Sequence, residues 1–120
     1  SYLLENPQVL IEVIGVLEAR EADAAAQADR ALVAQYGAEL FDDGYSWVGG
    51  NPDGDVTVVE FMDYRCGYCR RAMAEVQSLL ATDGNIRFIL KEYPILGPQS
   101  EMSARFAVAV QQLHGDQAYE

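Results

Sequence analysis

The residues most able to do chemistry sit in one tetrapeptide, Cys66-Gly67-Tyr68-Cys69, which holds both of the chain's cysteines. A cysteine is a nucleophile only as its thiolate, and an unperturbed thiol ionises near about 8.5. At a helix start, unpaired backbone N–H groups and the macrodipole stabilise such an anion. Two thiols three positions apart on a first helical turn can close a small ring. One sulfur then attacks a partner disulfide and the other displaces the mixed disulfide. The spacing assigns the parts. Cys66, at the helix start, is expected to be the exposed attacker of low pKa, with Arg65 and Arg70 adding to the stabilisation. Cys69, one turn inward on the apolar face, is expected to be the buried resolving thiol.

Other uses of two cysteines compete with this reading. A structural disulfide between neighbours so close would close too short a loop to restrict the unfolded chain much. Zinc needs about four ligands, and His114 is the one other good donor, so metal would require two chains sharing their cysteines. Soft thiolates also suit Cu(I), which leaves a metal-handling or adaptor protein as the non-enzymatic alternative. Asn51-x-Asp53-Gly54 with Glu60 resembles a calcium loop. Gly49 stands where the first acid is required, however, and strands are expected on both sides.

The elements that position the cysteines follow from periodicity. Val56 to Met62 is β-branched and nearly continuous in apolar residues, as for a strand buried on both faces. Cys69, Ala72, Met73, Val76, Leu79 and Leu80 then mark one helical face that ends near Asp83-Gly84. Ile86 to Lys91 reads as a second strand, so strand, helix and strand form a right-handed βαβ unit with a parallel pair. Tyr93 to Pro98 is a rigid connection. Met102, Phe106, Ala109, Val110 and Leu113 give another amphipathic helix, stopped by Gly115, with Asp116 as the N-cap of one more. Upstream, Tyr45 to Val48 reads as a short strand, and Pro52-Asp53-Gly54 as the tight turn of a hairpin into the next.

Residues 1–38 read as a separate helical stem, with Asn6 as N-cap, Pro7 at the first helical position and a face broken by Glu21. Val9, Leu10, Ile11, Val13, Ile14, Val16 and Leu17 cover more than one stripe. Their partner is either another subunit, making the stem an oligomerisation segment, or a clamp on the same chain. Residues 39–120 form the redox domain.

With 19 acids against eight Lys plus Arg, the chain of 120 residues has a net charge of −11. Nucleic acid is therefore not an expected partner. No stretch approaches the roughly 18 uncharged apolar residues of a membrane span. There is no initiator Met and no basic-then-apolar leader, so any targeting segment is expected to have been removed. Arg65, Arg70 and Arg71 place three of the eight basic residues around the thiols.

Glu60-Phe61-Met62-Asp63-Tyr64-x-Cys66-Gly67-Tyr68-Cys69 resembles the active-site strand and helix start of the DsbA-type thiol–disulfide oxidoreductases. Lys91 to Pro98 with Ser100 is similar to that family's next strand and connection, and Tyr2-Leu3-Leu4-x-Asn6-Pro7 resembles the stem of its ScsC-like branch. The resemblance implies an α/β thioredoxin fold with a helical insertion, protein thiol or disulfide substrates, a redox partner protein and a periplasmic address. It implies oxidase or isomerase activity, with no organic cofactor or metal. By the same resemblance Cys66 is the nucleophile and Cys69 its resolving partner. Glu60 matches the acid that moves a proton at the buried thiol, and Lys91 matches a lysine that pairs with that acid. Gly67 and Tyr68 fill the dipeptide, with Tyr68 where a histidine often stands. The family's cis-proline loop matches none of Pro7, Pro52, Pro94 or Pro98. Its last strands and closing helix are also unmatched, so the thioredoxin-like core is expected to be truncated.

Overall fold

A computed structural model describes residues 1–120. The chain divides into two compact units, Ser1–Leu40 and Phe41–Glu120. No helix is long and apolar enough to cross a membrane.

The first unit is helical. A short α1 (Tyr2–Glu5) leads into α2 (Gln8–Gln35), and α3 (Gly37–Phe41) follows. The Asn6-Pro7 start signal operates one residue later than expected. Pro7 is the N-cap, while the Asn6 side chain donates to the Tyr2 carbonyl at 3.0 Å. Glu21 does not interrupt the helix, because the Ala-rich sequence around it has high helix propensity. The 28 residues of α2 run on for about 42 Å. None of its side chains is buried, and Leu10, Ile11, Val13, Ile14, Val16 and Leu17 each expose half or more of their surface.

The second unit is α/β. β1 (Trp47–Gly50), β2 (Val56–Met62) and β3 (Ile86–Glu92) form one sheet in the order β1-β3-β2. β2 and β3 are parallel and joined through α4 (Gly67–Thr82), which is the expected strand–helix–strand unit. β1 runs antiparallel to β3. The hairpin expected at Pro52-Asp53-Gly54 is therefore corrected. The turn is present, but the strands it joins are not neighbours, because β3 lies between them. The turn instead wraps the start of β3. The Asn51 amide donates to the Ile86 carbonyl and the Asn51 side chain to the Gly84 carbonyl. Gly50 sits at φ +68 over that Ile86 carbonyl, a conformation that favours glycine. At Gly54 a Cβ would lie 2.4 Å from the Asn85 carbonyl oxygen, so the loop closes only without a side chain.

β2 is also not buried on both faces. It is an edge strand, with Val56, Val58 and Phe61 partly exposed, and β3 takes the central, buried position. Met62, Phe88 and Leu90 form the core on one face of the sheet, and Cys69, Met73, Val76 and Leu80 of α4 pack on it with Trp47, Tyr64 and Tyr119. α5 (Pro98–His114) and a short α6 (Asp116–Tyr119) complete the unit. Pro98 occupies the first helical turn as its fixed φ favours. The buried residues of α5 are Ser100 and Ala104, whereas Met102, Phe106 and Leu113 are largely exposed. Small residues allow the close approach, and the larger apolar residues of the helix look outward.

Candidate active site

The strand end, one turn and the helix start together fix the thiols. β2 ends at Met62, and Asp63 closes the turn. Its carbonyl accepts from the Cys66 amide at 3.0 Å, and its carboxylate accepts from the Arg65 amide at 2.9 Å. The second carboxylate oxygen accepts from the amides of Ile95 and Leu96, at 3.0 and 2.9 Å. Asp63 is buried, and burial opposes its charge, yet these backbone donors hold its carboxyl below the usual range. One side chain thus ties the helix start to the connection after β3. The sequence reading missed this role; its signal was an Asx-turn residue placed directly after a strand.

Cys66 is the N-cap of α4, and its sulfur accepts from the Cys69 amide at 3.3 Å. The Cys69 thiol and backbone amide lead the causes that lower the Cys66 thiol, the Tyr68 amide adding to them. Burial and the Asp63 charge act the other way. Hydrogen bonds within the helix start, not arginine charge, lead the lowering of the Cys66 thiol. The guanidinium of Arg65 bonds the Gln99 side chain, and Arg70 is exposed. For Cys69 the Asp63 backbone pulls the thiol down, but the Cys66 sulfur, burial and the Glu60 charge outweigh it and raise it. The Cys66 thiol is lowered, as expected, while Cys69 is raised, and both are half-buried rather than one exposed and one buried.

Glu60 lies on the same sheet face as Leu90, its register partner, beneath α4. Burial raises its pKa, and its Oε2 is buried without a hydrogen-bond partner. Lys91 is not beside it. In the β2–β3 register Lys91 is opposite Phe61, so its side chain leaves the other face of the sheet. There Lys91 Nζ meets Asp43 Oδ2 at 2.5 Å, with Ser46 Oγ at 3.3 Å, which corrects the expected Glu60–Lys91 pair. Gly67 opens α4, with nothing within 4 Å of where a Cβ would stand. Tyr68 is 78% exposed, and the Arg71 guanidinium lies over its ring, 4.5 Å from the centroid. A further cluster had no sequence signal because it joins distant segments. Tyr64 and Tyr119 both donate to Glu92 Oε1, at 2.8 and 2.5 Å, and burial with the Glu92 contact pushes Tyr64 up to about 12. No three or more His, Cys, Asp or Glu side chains gather in a metal-binding arrangement.

A family model described as thioredoxin matches residues 42–120, and one for the N-terminal domain of the copper resistance protein ScsC matches residues 1–24. Among solved structures, a thioredoxin-like oxidoreductase from Silicibacter pomeroyi DSS-3 is 54% identical. The match covers 68% of this chain and 47% of that one, with a TM-score of 0.63. BcfH of Salmonella enterica Typhimurium is 34% identical, with 98% and 49% covered and a TM-score of 0.82. The thiol-disulfide exchange protein alpha-DsbA2 of Wolbachia pipientis is 32% identical, with 80% and 50% covered and a TM-score of 0.70. The Na(+)/H(+) antiporter NhaA 1 of Salinispora arenicola is 36% identical over 72 residues, which are 58% of this chain and 10% of the antiporter. The chain therefore spans about half the length of these solved structures and a tenth of that curated relative. The match over residues 42–120, on a fold that puts Cys66 and Cys69 at the start of α4, shows that the chain belongs to the thioredoxin family, with an ScsC-type segment at its N-terminal side.

Proposed function

We propose that this protein exchanges thiols and disulfides with other proteins, Cys66 attacking and Cys69 resolving. One observation carries the reading: the Cys66 sulfur caps α4 and accepts the Cys69 amide, while the Cys69 thiol is pushed the opposite way. In the reducing direction the Cys66 thiolate forms a new S–S bond to a client sulfur. The client's own S–S bond breaks, and its second sulfur leaves as a thiolate. Cys69 gives up its proton and attacks the Cys66 sulfur, which releases the first client sulfur. Two electrons pass to the client and the Cys66–Cys69 disulfide forms. Oxidation of a client dithiol is the same sequence reversed, and isomerisation uses its first half. Glu60, half-buried on the Cys69 side of the sheet with its Oε2 buried and without a partner, serves as the acceptor of the Cys69 proton.

The clients are proteins, and a redox partner protein resets the dithiol. An oxidising compartment such as the bacterial periplasm suits a catalytic disulfide of this kind. Residues 1–38 act as an oligomerisation stem, which favours isomerisation because joined subunits present several thiol sites to one client. Refolding of a scrambled-disulfide protein and oxidation of a reduced one separate isomerase from oxidase. Cys66→Ser is expected to abolish both, and Cys69→Ser to accumulate mixed disulfides on non-reducing gels. Full turnover by both variants would falsify the assignment.

A further inference from the structure

Three cations stand near the thiols with no acid paired to them. The second unit carries Arg65, Arg70, Arg71, Arg87, Lys91 and Arg105. Lys91 is paired with Asp43 and Arg105 with Glu101, while Arg87 donates to the Phe41 carbonyl. Arg65, Arg70 and Arg71 form no ion pair and are all exposed. The nearest acid in the turn, Asp63, is committed to three backbone amides. These arginines also do not lead the stabilisation of the Cys66 thiolate, which comes from hydrogen bonds within the helix start. Their position even opposes α4, whose first turn holds no acid and whose dipole disfavours positive charge there. In a chain of net charge −11, such a patch is left for something outside the molecule.

The geometry gives the patch a form. Arg71 folds back toward the helix start, its Nε donating to the Gly67 carbonyl and its guanidinium covering Tyr68. Arg65 is on the opposite side of Cys66 in the sequence and is steadied by Gln99. A client sulfur reaching Cys66 therefore meets a helix start whose sequence neighbours, Arg65, Arg70 and Arg71, are exposed cations, beside the exposed Tyr68 ring. We infer that Arg65, Arg70 and Arg71 select client cysteines flanked by Asp or Glu. This rests on the exchange activity proposed above and names its substrate class. Charge complementarity acts mainly on encounter, so the preference lies in kcat/KM and weakens with salt.

Three disulfide-bonded peptides test this, identical except for Glu, Gln or Lys beside each cysteine, each reduced by the dithiol form of the full chain. At low ionic strength the Glu peptide is expected to react about tenfold faster than the Gln peptide, and the Lys peptide slowest. In about 0.5 M salt the Glu-to-Gln ratio is expected to fall toward about two. Arg70→Gln with Arg71→Gln is expected to shrink the ratio. A change in thiolate fraction would scale all three peptides alike and leave the ratio untouched. Equal rates on the three peptides, or a ratio indifferent to salt and to the double variant, would overturn the substrate preference while leaving exchange standing. No reaction with any peptide would remove the exchange reading itself. The wild-type comparison decides the matter even if the variant fails to fold.

Discussion

At the residue scale, the two sulfurs differ because each sits in a different part of one small hydrogen-bond pattern. Cys66 receives donors and Cys69 supplies them, so removing a proton is easier at the first and harder at the second. Alkylation of the reduced protein is expected to show Cys66 reacting with a midpoint below the ordinary value of about 8.5, and Cys69 above it. A single midpoint at the ordinary value for both would contradict the pattern. The linkage has a definite sign. A lowered thiol contributes stability that is present above its unfolded pKa and lost as pH falls through its folded one. Glu60 behaves oppositely. Its folded pKa is raised by burial, so stability falls as pH rises from the ordinary carboxylate range to the raised value. Glu60→Gln is therefore expected to stabilise the reduced protein at neutral pH by about 1 kcal/mol, allowing for the water that still reaches the group, and by little at pH 4. The same variant is expected to slow the resolving step by on the order of tenfold or more. Urea titrations at the two pH values and single-turnover kinetics read both effects. A stability gain that is the same at pH 4 and pH 7 would show that Glu60 is not the buried charge described.

At the scale of elements, local pattern and long-range pairing were legible to different degrees. The face of α4 could be read because one helix repeats its own period, and Cys69, Met73, Val76 and Leu80 all pack on the core. The strand partner of β1 could not be. Turn chemistry at Pro52-Asp53-Gly54 announces a reversal but not which strand is inserted beside it. Lys91 shows the same limit. The family resemblance placed Lys91 beside Glu60, but the register of β3 against β2 makes it face Asp43 instead. The periodicity of α5 gives an apolar face but not what covers it, and Ser100 and Ala104 make its close contact. The Asp43–Lys91 pair ties two elements together through a side chain that is nearly out of water. Asp43 accepts from Lys91, Ser46 and the Tyr45 and Ser46 amides, which join the segment before β1 to the end of β3. Although burial opposes its charge, those donors hold Asp43 well below the usual carboxylate range. Its contribution is thus present above that range and lost as pH falls below it. Lys91→Met strands a buried carboxylate and is expected to cost about 3 kcal/mol at pH 7, and less at pH 3. Chemical denaturation at both values checks this, and an equal loss at each would mean that packing of the lysine stem matters more than its charge.

At the scale of the whole molecule, what distinguishes this chain from a bare thiol domain is the surface of α2. Seven apolar residues between Val9 and Leu17 spread around the helix, and none of its side chains is buried. A helix apolar on most sides is stable in water only when something covers it. An isolated helix also owes most of its stability to packing rather than to propensity. Copies of α2 covering one another would satisfy both needs, which is the basis for proposing an oligomerisation stem. Leu10→Glu with Ile14→Glu places charge one turn apart on that surface. The pair is expected to lower the mass found by light scattering to that of one chain and to reduce helix content in circular dichroism. The rate at which Cys66 and Cys69 reduce a short peptide disulfide is expected to stay unchanged, because a short peptide meets one site at a time. Refolding of a scrambled protein, where several thiol sites act on one client, is expected to suffer instead. If the unaltered protein already scatters as a single chain, the exposed surface of α2 has some other occupant and the stem does not assemble the molecule.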